Sequence, residues 1–110
     1  MNWWSGVVPI QRDPEDNETF DHYPRTTNFR WDPINIADVT YSIEVDAFGA
    51  LSPDKWAAEV GKTGFVQSGL TENEYEYDFV GAQRGRWRVR ASVGKIDCPW
   101  TEWRYFQFTR

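Results

Sequence analysis

Paired carboxylates can hydrolyse a glycoside by dividing the acid and base or nucleophile roles. This chain offers two alternating acidic rows, Glu44 and Asp46, and Glu74, Glu76 and Asp78. In the first row the acids alternate with Tyr41, Ile43, Val45 and Ala47, and in the second with Tyr75, Tyr77 and Phe79. That period of two places each row on the outward face of a strand. There Arg30 on the expected neighbour offsets the second row, and Arg86, Arg88 and Arg90 face the first. Cross-strand charge pairs of this kind contribute roughly 0.2–1 kcal/mol each, so structural pairing is the preferred reading. The single histidine, His22, sits beside Asp21 in a polar stretch and reads as an exposed loop residue. Neither a Gly-x-Ser-x-Gly elbow nor a glycine-rich phosphate loop occurs. Asp13, Glu15, Asp16 and Asp21 are candidates for a calcium loop, but their spacing suits an acidic connection better. No catalytic, cofactor-binding or metal-ligating residue is assigned, and a non-enzyme is expected.

The strongest pattern lies near the C-terminus, in Arg86-Trp87-Arg88-Val89-Arg90-Ala91 and Trp100-Thr101-Glu102-Trp103-Arg104-Tyr105. Trp87, Val89 and Ala91 share the buried parity, leaving the three arginines in an outward row. Phe106 and Phe108 are buried in the second string, so Trp103, Tyr105 and Gln107 point out. If the two strands pair, guanidiniums interleave with rings, each exposed contact favourable by roughly 0.5–1 kcal/mol. Arg86, Arg88, Arg90, Trp100, Trp103 and Tyr105 are therefore the candidate site, either a binding face or a splint for the sheet.

The elements that hold these residues read as β. Seven Trp, seven Phe and five Tyr with few Leu favour strands. The expected strands are Val7 to Gln11, at an edge because of Pro9; Thr26 to Trp31, ended by Asp32-Pro33; Tyr41 to Ala47; Thr63 to Gly69; Tyr75 to Phe79; Arg86 to Ala91; and Trp103 to Thr109. Arg12 to Pro24 reads as a long connection, and Lys55 to Val60 as a short strand or a helical turn. The expected core centres on Trp31, Tyr41, Ile43, Tyr77, Trp87, Val89 and Phe106. One domain is expected at residues 7–110, after a tail of residues 1–6 carrying Trp3 and Trp4. A net charge of -5 argues against nucleic acid as the main partner. No apolar run is long enough to span a bilayer, so a chain without membrane insertion is expected. Cys98 alone excludes an internal disulfide. Asn17-Glu18-Thr19 has the form of an N-glycosylation triplet.

These residues resemble a fibronectin type III domain over most of the chain. Phe29-Arg30-Trp31-Asp32-Pro33 looks like that family's second strand, Ala37 with Tyr41-Ser42-Ile43-Glu44-Val45 like its third, and Gly85-Arg86-Trp87-Arg88-Val89-Arg90-Ala91 like its sixth. Gly81 stands where the family places an apolar residue six positions before Trp87. Trp100-Thr101-Glu102-Trp103-Arg104 is similar to the Trp-Ser-x-Trp-Ser box of cytokine receptors, without those receptors' paired cysteines. The resemblance implies an immunoglobulin-like β-sandwich of seven strands, the first, second and fifth in one antiparallel sheet and the rest in the other. It implies a non-catalytic interaction, adhesion or spacer module of a bacterial extracellular, surface or phage virion protein. The expected partner is a protein or a glycan, and a monomer is the default. A carbohydrate-binding module using exposed tryptophans is the alternative.

Overall fold

The computed structural model describes residues 6–60 and 65–110. Trp3 and Trp4, and the first residues of the expected Thr63 to Gly69 strand, lie outside the described residues. The strands are β1 (Gln11–Asp13), β2 (Glu18–Phe20), β3 (Thr26–Trp31), β4 (Val39–Ser52), β5 (Lys55–Trp56), β6 (Phe65–Leu70), β7 (Glu74–Asp78), β8 (Arg84–Val93), β9 (Ile96–Asp97) and β10 (Arg104–Phe108). A 3-10 turn occupies Ala57–Val60. The fold is all-β, in two sheets. The smaller pairs β1, β3 and β7; the larger runs β2, β10, β8, β4, with β5 and β6 both on β4 and β9 on β8. No helix among the described residues is long and apolar enough to cross a membrane.

Period-two patterning explains how the faces sort. Thr27, Phe29 and Trp31 of β3 are buried, while Asn28 and Arg30 are exposed. Gly85, Trp87, Val89 and Ala91 of β8 meet them from the other sheet, with Phe29 and Trp87 rings 5.1 Å apart. Tyr41 packs its ring on Trp31 at 5.4 Å and accepts a hydrogen bond from the Ile34 N–H at 2.9 Å, so its hydroxyl is not stranded in the core. Phe79 packs on Phe106 and Phe108 at 5.0 and 5.7 Å. Of the expected core, Tyr77 is only half-buried. It lies on the edge strand β7 and stacks on Phe65 at 4.5 Å at the mouth between the sheets.

Several expectations are corrected. The first strand begins at Gln11, not Val7: Pro9 has no N–H to give a ladder, and the Ile10 carbonyl accepts from the Asp32 N–H. The Arg12 to Pro24 connection contains β2, which pairs in parallel with β10 through backbone groups and buries only Phe20 against Phe106 and Phe108. Lys55 to Val60 is strand and turn in succession. The acids expected on the outer face of the third strand are buried, Glu44 at 4% and Asp46 at 1% exposure.

The described chain enters and leaves at opposite ends of β8. The Val7 backbone hydrogen-bonds the Cys98 sulfur. Cys98 donates its N–H to Ala91 near the end of the strand, while Phe108 donates to Gln83 just before its start. Burial, with Asp97 nearby, pushes the Cys98 thiol up. A thiol reagent should therefore label Cys98 only as fast as the chain unfolds, and labelling at the rate of a free thiol would contradict this. Gly85 is a second sensitive point, because a Cβ there would overlap the Phe106 and Phe79 rings. Gly85→Ala should cost about 1–3 kcal/mol by urea denaturation; an unchanged midpoint would show that the rings move aside freely.

Candidate functional site

With Gly85, Trp87, Val89 and Ala91 turned inward, β8 aligns Arg84, Arg86, Arg88 and Arg90 along its outer face. Two residues of strand advance about 6.8 Å. That is roughly twice the contact thickness of a planar group, so one ring fits between successive guanidiniums. The chain supplies three. Trp56 lies between Arg84 and Arg86 at 5.6 and 4.4 Å. Trp103 lies between Arg86 and Arg88 at 4.1 and 4.4 Å. Trp100 lies between Arg88 and Arg90 at 4.6 and 4.5 Å. Phe48 gives Arg84 a further ring at 5.0 Å.

The neighbouring strand anchors this ladder. Antiparallel register sets Asp46 opposite Arg86, Glu44 opposite Arg88 and Ser42 opposite Arg90. Arg86 donates from Nε and Nη2 to Asp46 Oδ2 at 2.9 and 2.8 Å; Arg88 donates to Glu44 Oε1 at 2.8 and 2.7 Å. Asp46 Oδ1 also accepts from the Ala47 and Ala58 N–H groups at 3.0 and 3.1 Å, which ties the 3-10 turn and Trp56 to β4. Ser42 offers no charge. Arg90 instead reaches Asp97 on β9 at 3.6 Å, and its Nε is buried without an acceptor among the described residues.

Thr101 seats the other two tryptophans. Beyond the point where β10 stops pairing with β8, Thr101 donates its N–H to the Val89 carbonyl at 2.9 Å and accepts the Val89 N–H on its hydroxyl at 3.0 Å. One threonine thus replaces a rung of the sheet and holds Trp100 and Trp103 on opposite sides of Arg88. Arg104 donates to the Gln11 carbonyl at 2.6 Å, and Gln11 donates to the Trp87 carbonyl at 3.2 Å, which closes the sandwich along this side.

Of the six residues expected at the site, the structure brings five into the ladder and leaves Tyr105 at its flank. Tyr105 packs beside Trp56 at 5.8 Å, and among the described residues no guanidinium lies over its ring. Trp56 and Arg84 are the members that sequence reasoning missed. The signal for Arg84 was its parity with Arg86; Trp56 was hidden by the ambiguous period of Lys55 to Val60. Arg30 does not neutralise the β7 acids, because Asp13 holds it at 2.7 Å. Asp78 accepts from the Thr26 hydroxyl at 2.7 Å. The acids of the first connection diverge: Asp13 pairs with Arg30, Asp16 caps the Tyr105 N–H, and Glu18 caps Glu15. No group of three or more metal-ligating side chains occurs among the described residues. His22 is exposed, its Nδ1 2.9 Å from the Pro24 carbonyl. Arg12 holds the Asp32 carboxyl below the usual range by a surface hydrogen bond.

No protein-family model matches the chain, and no curated protein matches it.

Arg88→Ala removes two ring contacts and leaves the buried Glu44 carboxylate without its cation, so a loss of about 2–4 kcal/mol is expected. Arg84→Ala, at the exposed end, should cost less than about 1 kcal/mol. Urea midpoints compare the two directly; equal small losses would mean that the ladder contributes little to stability.

Proposed function

We propose that this chain is a non-catalytic module of fibronectin type III type, serving protein interaction, adhesion or spacing. One observation carries the reading. The side chains that the sequence marks as chemically capable engage one another, each ladder tryptophan between two guanidiniums and each buried acid on an arginine. Such a face is a stiff outer plate. The sheet partition β1-β3-β7 against β10-β8-β4-β6 supports the fibronectin type III assignment, together with the three strand motifs. The setting in an extracellular, surface or virion protein rests on fold analogy.

The carbohydrate alternative faces a physical obstacle. A sugar stacks on an open ring face, and guanidiniums lie over the rings of Trp56, Trp100 and Trp103. Affinity electrophoresis through a panel of polysaccharides, with a parallel panel of glycoside and ester substrates, tests both rivals. Neither retardation nor turnover is expected. Retardation abolished by Trp100→Ala at unchanged melting temperature would replace the proposal with glycan binding, and turnover would replace it with an enzyme.

A further inference from the structure

Arg84 departs from the pattern set by the other ladder arginines. Arg86 and Arg88 each have rings over the guanidinium and a buried carboxylate at its edge, and Arg90 has Asp97. Arg84 has the rings, Phe48 at 5.0 Å and Trp56 at 5.6 Å, and among the described residues no carboxylate pairs with it. The reason lies in β4. Its outward residues Glu44 and Asp46 oppose Arg88 and Arg86, and its next outward residue is Phe48, a ring in the place of a third acid.

Toward β10 the surroundings of Arg84 are polar. Register aligns Arg84 with Gln107, and Gln107 with Thr19 of β2. All three are exposed on the outer face, and among the described residues none of their side chains makes a hydrogen bond. With Asn17 and Tyr105 they line a pocket of about 180 Å³, a size that suits one short side chain. Two acids lie close by and are engaged elsewhere. Glu18 has the parity of Phe20, which packs on the core, so its side chain leaves from the other face, and its carboxylate accepts the Glu15 N–H at 2.9 Å. Asp16 accepts the Tyr105 N–H at 2.9 Å.

We propose that this pocket binds a single carboxylate of a protein partner, an aspartate or glutamate side chain that completes the fourth rung from outside. Arg84 donates to the carboxylate from the edge of its guanidinium, as Arg86 and Arg88 do within the chain, and Gln107 and Thr19 donate to the remaining lone pairs. Because Arg84 already rests against the Phe48 and Trp56 rings, it loses little rotamer freedom on binding. Charge selects a lone acid over an acidic run, since the chain carries a net -5 and Asp16 and Glu18 stand nearby.

The inference rests on the interaction-module reading, for which it names the partner's contact chemistry. The test titrates isotope-labelled protein with the blocked peptide acetyl-Ser-Gly-Glu-Gly-Ser-amide, whose one charge is the glutamate. At millimolar peptide, shifts are expected at the Arg84 Nε–H, the Gln107 side-chain amide and the backbone amides of residues 17–19 and 105–107. The same peptide with glutamine for glutamate should give none. Arg84→Gln should weaken binding about tenfold, and Arg84→Lys nearly as much because an ammonium lacks the fork; Gln107→Ala should weaken it about threefold. Melting temperatures should stay close to that of the parent, because both side chains are exposed. Absence of shifts, binding undiminished by Arg84→Gln, tighter binding of inorganic phosphate, or equal binding of the glutamine peptide through a free C-terminal carboxylate would each overturn the proposal. Such a failure removes this pocket alone, whereas turnover or glycan retardation removes the module reading itself.

Discussion

Pairing of β4 with β8 over nine positions, from Val39 opposite Val93 to Ala47 opposite Gly85, is the constraint on which the rest of the molecule hangs. Inward, these strands contribute Tyr41, Ile43, Val45, Trp87, Val89 and Ala91 to the core. Outward, the same register sets Glu44 and Asp46 against Arg88 and Arg86. An outer sheet face normally leaves such acids in water. Here the aromatic rungs cover them, and desolvating two carboxylates costs several kcal/mol each unless every lone pair is used. Asp46 meets that condition with two arginine and two backbone donors. Glu44 meets it less fully, through Arg88.

Arginine is required at these positions for a geometric reason. Its planar guanidinium donates at the edge to a carboxylate while both faces lie against rings, which a compact, strongly hydrated ammonium cannot do. Arg86 and Arg88 do all three. Where the set of partners is incomplete the ladder loosens, as at Arg90, whose opposite residue is Ser42 and whose ion pair, at 3.6 Å, is longer than those of Arg86 and Arg88. The core carries a comparable imperfection. Among the described residues the indole N–H groups of Trp31 and Trp87 are buried without an acceptor, a penalty of about 1–3 kcal/mol each. Both indoles are nonetheless fully buried in the core and pack on other aromatic rings.

Much of this was legible because alternation reports directly on a face. The patterns of Thr26 to Trp31, Tyr41 to Ala47 and Arg86 to Ala91 indicated strands, core residues and the pairing of Glu44 and Asp46 with the arginine row. Alternation could not tell that an outward face would itself be covered, since that depends on Trp56 folding back beside β4 through the tight β4–β5 hairpin. It also failed where backbone rather than side chains makes the contact. β2 is three residues long and pairs by main-chain hydrogen bonds within a mostly polar stretch, with Phe20 its one core-facing ring. Tyr105 was misplaced for a subtler reason: it opposes Arg86 across the strands, yet both faces of that guanidinium are already met by Trp56 and Trp103.

The ladder also bears on why this chain adopts one register. In a sheet with a wet outer face, a one-residue slip is opposed only by the core, which would receive polar side chains. A slip of β8 against β4 here is opposed from both sides. It would bury the arginines, expose Trp87, and leave Glu44 and Asp46 covered by rings without their cations, a penalty that uncharged outer rows would not impose. Buried polar pairs often add little net stability while excluding alternatives. The seven alternating groups on β8 and its neighbours fit that role: the attraction between rings and guanidiniums is modest per contact, but it is available only when β4, β5, β8 and the Trp100 to Trp103 segment are all in their native positions.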